Sequence, residues 1–288
     1  MEEGKVLVLI DADSLVYNSS KELLQDSIQN IDDKINNIFE QTGATHYAMF
    51  ISLGTYFRHR IDPAYKAQRK VYPTQLLWTR TLKNYLIERW GAIAAKEVEA
   101  DDLVAYFYNK TFSYDKLQDW LFIKDGNTRL AVENVKVIVA TPDKDLLQSL
   151  PGEHFNYSYR LADKENPNSL VKGWWVETSE SNADEFLRMQ VIVGDAGDNV
   201  GSLRGKGPAY WKKISKENIP SWGELLQEYI IHYTDVPTAV FEFQKNYRLL
   251  RLLQNDSDFF REVGYIPEFT YHVVNREPIV KTDEIPAF

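Results

Sequence analysis

No cysteine occurs in the chain, which excludes disulfide frameworks, thiolate-ligated zinc and cysteine nucleophiles, and is compatible with a reducing compartment. Histidine is scarce, and the five residues form no HExxH pair of the zinc-hydrolase kind. Basic charge is in deficit: 33 Lys and Arg face 42 Asp and Glu, for a net charge of -9. Taken alone this argues against a nucleic-acid partner, because phosphate binding leaves a basic footprint. Long apolar runs are missing. The N-terminal one ends at Ile10, short of a signal-peptide core or the ~18 apolar residues of a membrane span, so the expectation is a soluble, cytoplasmic protein without membrane contact. Internal repeats, low-complexity tracts and long flexible linkers are missing too.

What the chain does have is core. At about 150 residues per domain, 288 residues suggest one large domain or a core with an appendage. With 44% hydrophobic residues, 13% of the chain aromatic, wholesale disorder is excluded. Lys5 to Ile10 (KVLVLI) is a continuous apolar run without polar alternation, the pattern of a strand buried on both faces of a parallel sheet. Ile28, Ile31, Ile35, Ile38 and Phe39 recur at helical spacing and lead to Gly43, a C-terminal cap. Tyr47 to Ile51, Ala92 to Val98 and Val135 to Ala140 read as strands, and Gln75 to Trp90 and Asp101 to Tyr108 as helices. This alternation predicts an α/β sheet with right-handed crossovers. Trp120 to Ile123 and Leu130 to Val132 flank an Asp125-Gly126 turn signal, as in a hairpin. Aromatic-rich segments follow (His154 to Tyr159, Val171 to Val176), then a helix from Ala183 to Val193, a glycine-rich passage and mostly helical patterns to Leu253. From Tyr265 the chain looks extended and proline-punctuated.

Acidic residues gather where strands end or helices begin: Asp11 with Asp13, Glu99 with Asp101 and Asp102, Asp143 with Asp145, and Asp195 with Asp198. Any one group is explained by helix capping. Together they ask for more, because each start carries two or three acids. Two carboxylates about 4 Å apart repel by roughly 4 kcal/mol at an effective dielectric near 20, so such groups need cations or raised pKa values. Ligands of open parallel sheets bind beyond the strands' carboxyl ends, where at least the first and third of these groups fall, so their convergence is geometrically natural. Oxygen-only ligands suit magnesium or manganese rather than zinc, and two such ions would support phosphodiester hydrolysis. Removing these nine acids from the count equalises acidic and basic residues.

The basic residues are concentrated as well. From Tyr56 to Trp90 eight Lys and Arg face only Asp62 and Glu88. Within that stretch FRHRIDPAYKAQRK interleaves cations with aromatics, a composition suited to phosphate contact and base stacking, and Lys66, Arg69 and Lys70 could share a helical face. The usual alternative for such a run is a solvated face. Further on, GDAGDNVGSLRGKGP (Gly194 to Pro208) precedes a helical segment, with Lys206, Lys212 and Lys213 nearby, and suits contact with a DNA phosphate. It is no Walker loop, since the Gly201 to Gly205 spacing is one residue short. The alternative is an ordinary loop between helices.

In family order, IDADSLVY (from Ile10), FRHRIDPAYKAQRK (from Phe57), EADD (from Glu99), TPDKDLLQ (from Thr141) and the glycine-rich passage resemble the flap endonuclease and 5'-nuclease family, most closely free-standing phage 5'-to-3' exonucleases. The resemblance implies an α/β, parallel-sheet, PIN-like nuclease core with a helical arch and a helix-three-turn-helix DNA-binding module. On this basis 1–193 is the core, with the arch in 54–90, and 194–288 is the module plus a C-terminal segment packed on the core. Asp11, Glu99, Asp101 and Asp102 resemble a first metal group, and Asp143, Asp145, Asp195 and Asp198 a second, with Asp13 added to the ligand set. Asp11, Asp102 and Asp145, with the arch cations Lys66 and Arg69, form the expected catalytic set. Expected DNA contacts are Arg58, Arg60, Tyr65, Lys66, Arg69 and Lys70, then Gly201, Arg204, Gly205, Lys206, Gly207 and Lys212. Two Mg2+ or Mn2+ ions are implied, with K+ at the Gly201 to Gly207 turn.

The implied substrate is branched or duplex DNA with 5' ends, or an RNA:DNA hybrid, cut by a monomer that removes primers or flaps in replication. One departure stands out. Many relatives carry an aspartate after the second strand, where this chain reads Met49 to Gly54 with no acid; Asp13 is the candidate substitute. Two other readings are a PIN-type ribonuclease and a degenerate, non-catalytic DNA-binding relative.

Overall fold

The computed structural model describes residues 5–69, 73, 77–112, 135–161, 170–267 and 272–274. β1 (Lys5–Asp11) lies inside the sheet because its run of apolar side chains leaves no polar face. It pairs in parallel with β2 (His46–Leu53) on one side and β4 (Val135–Ala140) on the other. β3 (Ile93–Lys96) extends the parallel sheet beyond β2, and β5 (Gly152–Leu161) beyond β4. β6 (Leu170–Thr178) returns antiparallel to β5, with a register shift between Asn156 and Tyr159, giving the order β3-β2-β1-β4-β5-β6. β7 (His272–Val273) pairs antiparallel with the start of β2.

Among the described residues the helices are α1 (Asp13–Ser19), α2 (Leu24–Thr42), α3 (Phe57–Ile61), α4 (Thr79–Trp90), α5 (Ala100–Phe112), α6 (Lys144–Ser149), α7 (Glu180–Val193), α8 (Pro208–Ile214), α9 (Trp222–Tyr233), α10 (Val236–Leu250) and α11 (Asp256–Val263). Strand alternation divides the core in two. Val8 and Ile10 pack with residues of α1, α2 and α4, whereas Leu7 and Leu9 pack with α5, α6 and Phe259 of α11. A third cluster joins α7 to α10 around Trp211, Leu225 and Tyr229. α2 stops where the sequence says it should, since Gly43 takes a φ of +65° and its N–H reaches Phe39 O.

The alternation read from the sequence is therefore that of the sheet, and Val135 to Ala140 forms a strand as expected. The aromatic-rich segments are the β5–β6 hairpin. Trp120 to Ile123, Leu130 to Val132 and much of the extended C-terminal end lie outside the described residues, as do 70–72 and 74–76 of the expected arch region. Lys66 and Arg69 share no helix. The chain after α3 runs through turns, with Lys66 at a φ of +58°, because Pro63 and the contacts described below hold this loop in another shape. Among the described residues no helix is long and apolar enough to cross a membrane.

Candidate active site

β1 delivers Asp11 to the carboxyl edge of the sheet, and β4 delivers Thr141 beside it. The Thr141 hydroxyl donates to Asp11 Oδ2 (2.9 Å) and accepts from the Asp143 N–H (3.0 Å), lacing the two strand ends together. Burial, then the charges of Asp13 and Asp143, push the Asp11 carboxyl up to about 7. Asp143 caps α6 by accepting from the Asp145 N–H at 2.8 Å. The ordinary capping role is real there, yet burial and the Asp143 charge also raise Asp145 to about 6. Asp13 turns toward β2: both its oxygens lie 3.2 Å from the Ser52 N–H, and Lys83 Nζ donates to Asp13 Oδ1 (3.1 Å) and Ser52 O (2.7 Å). A carboxylate thus stands at the end of β2 although β2 supplies none.

The start of α5 contributes Glu99, Asp101 and Asp102, whose carboxylate oxygens lie within 4.8 Å of one another. Asp102 is fully engaged: Oδ1 accepts from Arg58 NH2 (2.8 Å) and the Leu253 N–H (3.0 Å), and Oδ2 from Arg58 NH1 (2.6 Å) and the Glu99 N–H (3.1 Å). Those four bonds fill a carboxylate's acceptor sites. Glu99 accepts from Tyr65 Oη (2.9 Å), from Arg58 NH1 (3.2 Å) and from Lys66 Nζ. Asp101 accepts the Asp102 N–H, and burial, Glu99 and Asp102 hold its carboxyl well above the usual range.

The glycine-rich loop brings the last pair. Asp195 and Val200 exchange two backbone hydrogen bonds of 2.9 Å, and Asp195 Oδ1 accepts the Gly197 N–H at 2.7 Å. Lys144 Nζ bridges Asp195 Oδ2 (2.6 Å) and Asp145 Oδ1 (2.8 Å), and Gln190 Nε2 donates to the same two oxygens. Asp198 meets the basic loop: its Oδ1 accepts from Arg69 NH2 (2.6 Å), its Oδ2 from Tyr65 Oη (2.8 Å), and its carbonyl from the Lys66 N–H (2.9 Å). Burial pushes Asp198 up, but Lys66 and Arg69 leave it below the usual range. Asn199 Nδ2 completes this clasp on Ala64 O (2.8 Å). Lys66 is held in its left-handed conformation from both ends.

All nine acids singled out in the sequence are joined through hydrogen bonds and shared partners into one network at the carboxyl edge of the sheet. Lys66 pairs with Glu99 and Arg69 with Asp198. Two expected DNA contacts are corrected. Arg58 is 1% exposed and Tyr65 4%, so neither presents its side chain to a duplex; a run of alternating cations and aromatics reads the same whether it is solvated or folded inward. Arg60 pairs with Glu97 (2.8 Å) and Glu262 O, and Lys206 with Glu228, while Gly201, Arg204, Gly205 and Lys212 are exposed and Gly207 half-buried. Lys70 lies outside the described residues. Sequence reasoning missed Ser52, Lys83, Thr141, Lys144 and Gln190. Lys144 and Thr141 stood inside the TPDKDLLQ motif; Lys83 and Gln190 carry no local signal.

The donor set fits hard divalent cations. It is all oxygen, and among the described residues the nine carboxylates pair with the cations of Arg58, Lys66, Arg69, Lys83 and Lys144, which leaves an excess of negative charge. The carboxyls of Asp11, Asp101 and Asp145 are raised first by burial and then by the neighbouring carboxylates, and a bound cation would lower them.

Fold and site together define an α/β protein with a cluster of acids at the carboxyl edge of a mostly parallel sheet. The description "5'-3' exonuclease, N-terminal resolvase-like domain" matches residues 6–175, more than half of the chain, and the chain belongs to this family. DNA polymerase I of Treponema pallidum is 28% identical over 229 residues, which cover 72% of this chain and 20% of that protein; the chain thus spans about a fifth of this curated relative. A bacteriophage T5 protein crystallised with metal ions has the same fold, with a TM-score of 0.55 at 19% identity over 86% of this chain and 90% of that one. So does the bacteriophage T5 flap endonuclease in a pseudo-enzyme-product complex with DNA and metal ions, with a TM-score of 0.51 at 18% identity over the same shares.

Proposed function

We propose that the chain is a divalent-metal-dependent 5' nuclease that hydrolyses DNA phosphodiesters, as an exonuclease and on flaps, and removes primers or flaps in replication. The observation that carries this reading is the under-neutralised cluster of nine acids with Lys66 and Arg69 paired to it. Asp11, Glu99 and Asp101 are suited to one Mg2+ or Mn2+ ion, with Asp102 held behind them by Arg58, and Asp143, Asp145, Asp195 and Asp198 to a second, with Asp13 beside the first. Such ions, when bound, supply a water nucleophile at neutral pH and stabilise both oxygens of an in-line displacement.

The chain's own groups do the rest. Lys66 and Arg69, now paired with Glu99 and Asp198, are positioned to transfer those contacts to the equatorial oxygens of a scissile phosphate. Thr141 and the Asp145 N–H fix the carboxylates of Asp11 and Asp143, so the acids need little reorganisation. Arg204, Lys212 and the exposed backbone of Gly201 and Gly205 form a surface for a duplex phosphate and for K+, which would hold DNA by its backbone and not by its bases.

The test is product mapping on flap, nicked and blunt duplexes labelled at either end, with Mg2+ or with EDTA. Short products released from the 5' end only, and only with the metal, are expected. Cleavage from 3' ends, or cleavage that persists in EDTA, contradicts the proposal. An all-RNA strand run alongside reports the ribonuclease alternative.

A further inference from the structure

Arg58 sits wholly inside the protein, and every N–H of its guanidinium is used. Nε donates to Leu249 O (2.9 Å), NH1 to Asp102 Oδ2 (2.6 Å) and Glu99 Oε2 (3.2 Å), and NH2 to Asp102 Oδ1 (2.8 Å) and Arg251 O (2.8 Å). The two carbonyls belong to the C-terminal end of α10 and the residue that follows it, a point 191 residues from Arg58 in the chain. Asp102 is bound to the same segment through the Leu253 N–H. A bidentate pair of this kind fixes orientation as well as distance.

We propose that Arg58 is a positioning residue of the acidic centre: it holds Asp102 as a tether and through it sets Glu99 and Asp101, the cation-facing acids of α5, relative to the end of α10. Asp102 then acts on a bound cation through its neighbours, because its four acceptor sites are already occupied. The end of α10 and the acids of the core meet through Arg58 and Asp102, so a shift of α10 reaches Glu99 through this pair. The inference rests on the reading of Glu99 and Asp101 as cation ligands.

The experiment is calorimetric titration of the full chain with Mn2+ in the absence of DNA, with a thermal melt of each variant. Arg58→Lys keeps the charge but loses the fork. It is expected to weaken Mn2+ binding about ten- to a hundredfold while the number of ions stays that of the parent. Asp102→Asn is expected to do the same, and the double variant to be no weaker than the worse single one. Should Arg58→Lys fail to fold, Asp102→Asn carries the test alone. Parental affinity in either folded variant, additive losses in the double variant, or loss of one ion in Asp102→Asn would overturn the proposal. Glu99→Gln is the control for the underlying reading: it should lose an ion, and if both ions stay bound, the ligand assignment fails whatever Arg58 does.

Discussion

Burial and two neighbouring carboxylates keep Asp11 protonated up to about pH 7, and burial with Asp143 keeps Asp145 protonated to about 6. Both groups bind protons more tightly folded than unfolded, where a carboxyl titrates near ~4. Between about pH 4 and 7 the folded state therefore holds the extra protons, and stability falls as pH rises through that window. In EDTA the melting temperature should be lower at pH 7.5 than at pH 5.5, and Mg2+ should raise it more at pH 7.5. A melting temperature that climbs with pH in EDTA would contradict this electrostatic account. The acids themselves were legible because each group stands at a strand end or helix start. What each side chain does was not: Arg58, Tyr65 and Lys66 lie within a few residues of one another, and only the fold separates the buried tether from the cation at the rim.

Among the elements, β1 is legible because both its faces are buried, which removes the polar alternation that would otherwise mark one side. The turns after α3 are not, because Lys66, Arg69 and Lys70 have helical spacing, and the loop is shaped instead by Asp198 and Asn199, some 130 residues away. The glycine-rich loop depends on one position above others. Gly194 has a φ of +77°, and a Cβ there would lie 2.6 Å from Ser202 N and 2.5 Å from Val200 O, the partner of Asp195 in the bridge that aims it. At Gly43, with a φ of +65°, a Cβ meets nothing within 4 Å. Gly43→Ala should cost about 1–2 kcal/mol in urea unfolding from backbone strain alone. Gly194→Ala should cost more and also weaken Mn2+ binding, since Asp195 is displaced. Equal stability of the two variants, with unchanged Mn2+ affinity, would show that the loop does not aim Asp195.

At the scale of the whole molecule, a net charge of -9 hides a division of labour: the acidic excess gathers in one cluster and cations pair with it. Overall charge misleads about the partner for that reason, whereas the rule that parallel sheets bind ligands at their carboxyl ends points to the right edge. The contacts that tie the site together join 64–69 to 197–199 and Arg58 to the end of α10, and no local pattern announces pairs so far apart. The most direct test of the account is cleavage of a 5'-labelled flap by Asp101→Ala and Asp145→Ala, measured beside DNA binding by gel shift. The account predicts that each substitution lowers the rate by at least about a thousandfold while binding stays within a few-fold of the parent. Undiminished hydrolysis by both variants would contradict it.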